Sequence, residues 1–125
     1  AGYFGEPIMF SPANPAQVYI ATGITDMRKS ITGLSILVAD QLELDPLSGH
    51  LFAFCNRKRD MVKILYWDCN GFCLWHKRLE KDRFQWPETE AGVLDIHGRE
   101  LAWLLDGLTL EQRDAHQQLS YTTII

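Results

Sequence analysis

Hydrophobic and polar positions follow two rhythms along this chain, one of a sheet and one of a helix. Two apolar runs flank Asn70-Gly71 and predict a β-hairpin over Val62–Leu79. A two-residue turn at Asn70-Gly71 would pair Cys69 with Phe72 and Trp67 with Leu74. A turn starting at Asp68, with Gly71 as a bulge, would pair Asp68 with Phe72 and Trp67 with Cys73. Either way both faces are apolar, with Leu65 and Trp67 on one and Val62, Ile64 and Tyr66 on the other. A hairpin with one wet face alternates more cleanly, so this one is expected to be central or covered on its second face by a partner chain.

Met27, Ile31, Leu34, Val38 and Leu42 recur at helical spacing and predict a helix capped by Thr25 or Asp26. It should end near Leu44, because Asp45-Pro46 cannot continue it. Gly33 inside it costs about 1 kcal/mol relative to Ala unless close packing uses the missing side chain. Gln17–Ala21, Leu51–Cys55 and Val93–Ile96 read as short strands, and Phe84–Trp86 as a short extended piece. Leu51–Cys55 hardly alternates and is expected to be buried on both faces. A second helix opens at His97 or Gly98 and runs through Asp106, with Leu101, Leu104 and Leu105 inward and Gly107 as its stop. Thr109–His116 can form a further helical turn, and Tyr121–Ile125 an edge strand. The order β-α-β-β-β-β-α predicts an α+β fold with a largely antiparallel sheet.

The 125 residues suit one domain, over residues 17–110. Residues 1–16 carry three prolines and two glycines and read as an extended arm; Ala1–Ile8 is either native or a vector remnant ahead of Met9. Residues 111–125 read as a tail. No apolar run reaches the roughly 20 residues that span a bilayer, and no signal peptide is visible. Three cysteines cannot all pair within the chain, and free thiols in a reducing cytoplasm are the expectation.

Charge changes the picture. The net charge is −4, yet residues 57–83 hold eight of the twelve Lys and Arg residues against four carboxylates, for +4. An acidic protein thus concentrates its positive charge near the two open ends of one hairpin. Arg28 and Lys29, at the expected helix start, break the dipole rule. They read either as part of an anion cradle or as a solvated pair partly neutralised by Asp26.

Candidate chemistry is sparse. Cys69, Cys73 and His76 lack the second ligand pair that tetrahedral zinc needs. Asp68, Glu80 and Asp82 read as turn and solvated residues rather than converging metal ligands. No P-loop, dinucleotide fingerprint or nucleophile elbow is present. No catalytic residue, metal or cofactor is expected. A β-ribbon with aromatics among cations can bind nucleic acid, with Lys and Arg on phosphates. The alternative is that Tyr66, Trp67, Phe72, Trp75, Phe84 and Trp86 are core.

The strings ATGITDMRKSITGLSILV (21–38), DPLSGHLFAFCNRKRD (45–60), KILYWDCNGFCLWHKRLE (63–80), RFQWP (83–87) and ELAWLLDGL (100–108) together resemble the small accessory protein of the insertion sequence 66 family. That protein is often called TnpB or the second-open-reading-frame protein, and is not to be confused with the RNA-guided nuclease that shares the name. The resemblance covers residues 17–108. It implies a non-enzymatic accessory role in bacterial DNA transposition beside a separate transposase. Asp26, Met27, Arg28, Lys29, Trp67, Asp68, Gly71, Lys77 and Arg78 are the family-like positions. The expectation is DNA binding at element ends, with phosphate contacts from Arg28, Lys29, Arg57, Lys58, Arg59, Lys63, Lys77, Arg78 and Arg83. Trp67 and Trp75 would mainly hold the hairpin. The alternative is a protein–protein adaptor or homodimeric scaffold for the transposase.

Overall fold

The strand Leu51–Cys55 is buried at all five positions and lies in the middle of a five-stranded sheet. The computed structural model describes residues 17–107. In chain order these form β1 (Val18–Ala21), α1 (Ile31–Asp40), β2 (Leu51–Cys55), β3 (Met61–Asp68), β4 (Gly71–Arg78), β5 (Val93–Ile96) and α2 (Gly98–Leu105). The strand order across the sheet is β4-β3-β2-β1-β5. The fold is α+β, as the sequence pattern predicts. β1 and β2 are parallel with α1 as their crossover, and every other pairing is antiparallel. The further helical turn and edge strand expected after residue 108 lie outside the described residues.

Each sheet face carries its own core. On one, Val18, Ile20, Leu51, Ala53, Val62 and Ile64 pack with Ile96, Leu101, Leu104 and Leu105, and with Phe84 and Trp86. On the other, Ala21, Phe52, Phe54 and Leu65 pack against Leu34 and Val38 of α1. Each fully buried Leu, Val or Phe contributes about 1.5–3 kcal/mol relative to exposure. The buried Trp86 indole donates from Nε1 to the Ala21 carbonyl at 2.9 Å, which ties the segment after the hairpin to β1. The hairpin contributes to both cores, so its two-sided apolar pattern is satisfied within the chain. Among the described strands it lies to one side, with β4 as the edge.

Two boundaries differ from expectation. α1 begins at Ile31, not at Thr25 or Asp26. The Asp26 carboxylate accepts the Arg28 backbone N–H at 2.9 Å, a local turn that competes with helix. The Lys63 ammonium takes the Met27 and Lys29 carbonyls, which an earlier start would give to Ile31 and Gly33. Arg28 and Lys29 therefore precede the helix instead of occupying its first turn. A Cβ on Gly33 would sit 3.3 Å from the Lys29 Cβ, so close packing does use the missing side chain. At its other end α1 stops at Asp40, four residues short of Leu44, and the backbone turns through Glu43 at φ 57°.

The hairpin turn is the second difference. Asp68 pairs with Gly71 and Trp67 with Phe72, so the loop is Cys69-Asn70, one residue earlier than the Asn-Gly signal indicates. Cys69 takes the positive φ, at 59°, and Gly71 does not. The Asn70 N–H closes on the Asp68 carbonyl. This register sets Leu65 opposite Leu74 on the α1 side and Ile64 opposite Trp75 on the α2 side; the bulged turn, offset by one, would exchange the faces, whereas a turn at Asn70-Gly71, offset by two, would keep them. α2 follows the pattern: His97 and Glu100 form a capping box, and Gly107 at φ 88° ends it.

Candidate nucleic-acid interface

The polar loop between β2 and β3 is shaped by one side chain. Asn56 Oδ1 accepts the backbone N–H groups of Asp60 and Met61, each at 3.1 Å, and its Nδ2 donates to Asp60 Oδ1 at 2.7 Å. Arg59 adopts φ 61°, and its side chain folds back, with Nη2 3.0 Å from Glu88 and 16% exposure. That leaves Arg57 and Lys58 exposed at the loop tip, with no ion pair to a described residue.

The chain after β1 lies beside this loop, because the Thr25 N–H donates to the Cys55 carbonyl at 2.9 Å. It presents Asp26 and Arg28. The Arg28 guanidinium, 91% exposed, grips both Asp26 oxygens, and its Nη2 is 2.8 Å from Oδ2. These bonds, with the Arg28 N–H, hold the Asp26 carboxyl down to about 2 and push Arg28 above its ordinary value. Arg78, at the end of β4, leans on the exposed Glu80 at 3.3 Å.

These segments border an open groove of about 840 Å³ at the open end of the hairpin. Arg28, Arg57, Lys58 and Arg78 converge on it, with Asp26 and Asp60 as its carboxylates and the half-exposed Ile24 on its wall. No aromatic residue lines it. The groove can therefore hold a polyanion through charge and hydrogen bonds, without a stacking platform.

The other predicted cations are placed differently. Lys29 is exposed beside the groove but does not line it. Lys63 Nζ is 2.8 Å from the Met27 carbonyl and 3.1 Å from that of Lys29. Lys77 Nζ donates to the Leu105 carbonyl at 3.0 Å, capping the last turn of α2. Arg83 lies apart, with Lys81, Asp82 and Asp106 around a smaller depression. Among the aromatics, Phe84 and Trp86 are core, while Trp67 and Phe72 meet edge to face at 5.1 Å near the hairpin tip. Sequence reasoning missed Asn56; its signal was an Asn opening a polar loop, where Asx turns form. Among the described residues no group of three or more His, Cys, Asp or Glu side chains is arranged to hold a metal ion.

The described residues thus form a small mixed-sheet α+β domain with a basic groove at the open end of its hairpin. The chain belongs to the IS66 Orf2-like family: the family model described as "IS66 Orf2 like protein" matches residues 16–115. It is thus an insertion-sequence accessory protein, of a family generally described as non-catalytic. It is 40% identical over 100 residues to "Uncharacterized protein y4hO" of Sinorhizobium fredii (strain NBRC 101917 / NGR234), a match covering 80% of this chain and 87% of that one. It is 33% identical over 100 residues to "Uncharacterized protein y4jC" of the same organism, covering 80% and 86%. No solved structure matches the chain. No helix of the described residues is long and apolar enough to cross a membrane.

Proposed function

We propose that this accessory protein binds the DNA ends of its insertion sequence through the groove, and works there with the cognate transposase. The observation that carries the reading is convergence: Arg28, Arg57, Lys58 and Arg78 come from three separate stretches of an acidic chain and border one groove. Arg57 and Lys58 are the strongest phosphate ligands, because no described carboxylate competes for them. Arg28 and Arg78 exchange an exposed carboxylate partner for phosphate, at small cost, since exposed ion pairs contribute only about 0–1 kcal/mol. Lys29 flanks the groove and can add a contact. Arg59, Lys63 and Lys77 serve the fold, and Arg83 lies outside the footprint.

The test is fluorescence anisotropy of a labelled terminal-repeat duplex against a scrambled duplex over a salt series. Salt-sensitive binding is expected, tighter for the repeat. Arg57→Ala/Lys58→Ala should reduce the slope of log affinity against log salt by about 2, since each phosphate contact contributes about 0.9. Binding to neither duplex at low salt would remove DNA recognition and leave the adaptor role, with the transposase as sole partner.

A further inference from the structure

We propose that the outer edge of β4 is a homodimer interface, pairing antiparallel with β4 of a second copy about a two-fold axis at Trp75. β4 is eight residues long and pairs with β3 alone among the described strands. Its pairing runs without a bulge from Met61↔Arg78 to Asp68↔Gly71. The Leu79 N–H donates to the Asp60 carbonyl, which marks that pair as hydrogen-bonded. Counting in twos, Lys77, Trp75, Cys73 and Gly71 turn their backbone groups toward β3. Phe72, Leu74, His76 and Arg78 turn theirs outward.

Sheet edges are normally guarded by brevity, charge, proline or bulges. The opposite edge, β5, is guarded: it has four residues and carries the exposed Asp95. β4 has none of these devices over Phe72–Trp75. Its charge, Lys77 and Arg78, gathers at one end. That asymmetry selects the partner and the direction. Parallel pairing with a second copy would stack cation on cation. Antiparallel pairing about Trp75 sets Arg78 against the partner's Phe72, Lys77 against the partner's Cys73, and His76 against the partner's Leu74. No like charges then face each other across the strands. All four outward residues find backbone partners, and one such edge among the described strands of each chain closes the assembly at two.

The dyad stands perpendicular to the sheet, so both basic grooves would remain on the α1 side. Their Arg78 positions would be offset by six residues, roughly 20 Å along the strands. The pairing does not depend on DNA binding.

The experiment is sedimentation equilibrium of the full chain, with disulfide trapping as a check on register. The wild type should sediment at twice the chain mass. His76→Pro removes an outward N–H at an exposed position, which an edge strand tolerates, and should give a monomer with an unchanged circular dichroism spectrum. In a Cys69→Ser background, Lys77→Cys should form an interchain disulfide with Cys73 under mild oxidation. Those positions face each other at about 4.5 Å between Cα atoms in the proposed dimer. Within one strand they are about 13 Å apart and cannot bridge. Arg78→Cys, on the opposite face, should not form this disulfide. A monomeric wild type at micromolar concentration overturns the proposal. So does a dimer in which Lys77→Cys fails to cross-link, and if His76→Pro does not fold, the cross-link alone decides.

Discussion

The Lys63 ammonium lies 2.8 Å from the Met27 carbonyl oxygen, across 36 residues of sequence. With the Lys29 carbonyl at 3.1 Å, it fastens the segment before α1 to β3, on the α1 side of the sheet. Arg28, which lines the groove, sits between those two carbonyls in sequence. Lys63→Met keeps the stem and deletes the donor. It should lower stability by about 1.5–3 kcal/mol, the range for hydrogen bonds from a charged group, measured by urea unfolding. DNA affinity should fall by less than for Arg57→Ala, because Lys63 positions the groove without entering it.

Lys77 and Arg78 are neighbours in sequence and opposites in role. The Lys77 ammonium crosses the α2 side to the Leu105 carbonyl, while Arg78 points into the groove on the α1 side. Lys77→Met should cost about 1 kcal/mol by uncapping α2, and leave the salt slope of DNA binding unchanged. Arg78→Met should leave the melting temperature within a degree or two and flatten the salt slope by about 0.9. Equal effects of the two substitutions on the slope would contradict this division.

Cys69 holds a left-handed conformation, φ 59°, that costs a non-glycine residue about 1–2 kcal/mol. Glycine adopts it freely but loses more entropy on folding, by about 0.5–1 kcal/mol. Cys69→Gly should therefore stabilise the hairpin by about 0.5 kcal/mol, read as a higher urea midpoint at unchanged m-value. The matching change at Asn70, which is not at positive φ, should destabilise.

These positions mark what the sequence can and cannot convey. Val93–Ile96 and Leu51–Cys55 were legible to the residue, because turn residues bound short β-rich runs. α2 was legible through its leucines and Gly107. The start of α1 was not, since the group that delays it, Lys63, is remote in the chain. The hairpin loop lies at Cys69-Asn70 and not at Asn70-Gly71, a shift that leaves every side chain on its face but sets Leu65 opposite Leu74 where the other turn would set it opposite His76. The parallel pairing of β1 with β2 has no local signature at all. For the site, charge segregation was visible in the composition. Which cations stay free was not, because internal partners such as the Leu105 carbonyl and Glu88 are set by tertiary structure.

Asp26 competes with any anion for Arg28, and this gives a last prediction with two readings. Its carboxyl titrates at about 2, held down chiefly by the Arg28 side chain. The folded value lies below the ordinary one. The ion pair's contribution to stability is therefore complete above about pH 4 and is lost as pH falls through about 2. In a carboxyl-resolved NMR titration, Arg28→Ala should return the Asp26 midpoint toward 3.8. Asp26→Asn keeps an oxygen for the Arg28 backbone N–H, so the turn before α1 should persist. It deletes one of the two carboxylates in the groove and releases the guanidinium. DNA affinity should rise several-fold at low salt, because Arg28 no longer gives up a carboxylate to take a phosphate, while the salt slope should stay near the wild-type value. An unchanged affinity with the turn intact would place Arg28 outside the DNA footprint and confine that footprint to Arg57, Lys58 and Arg78.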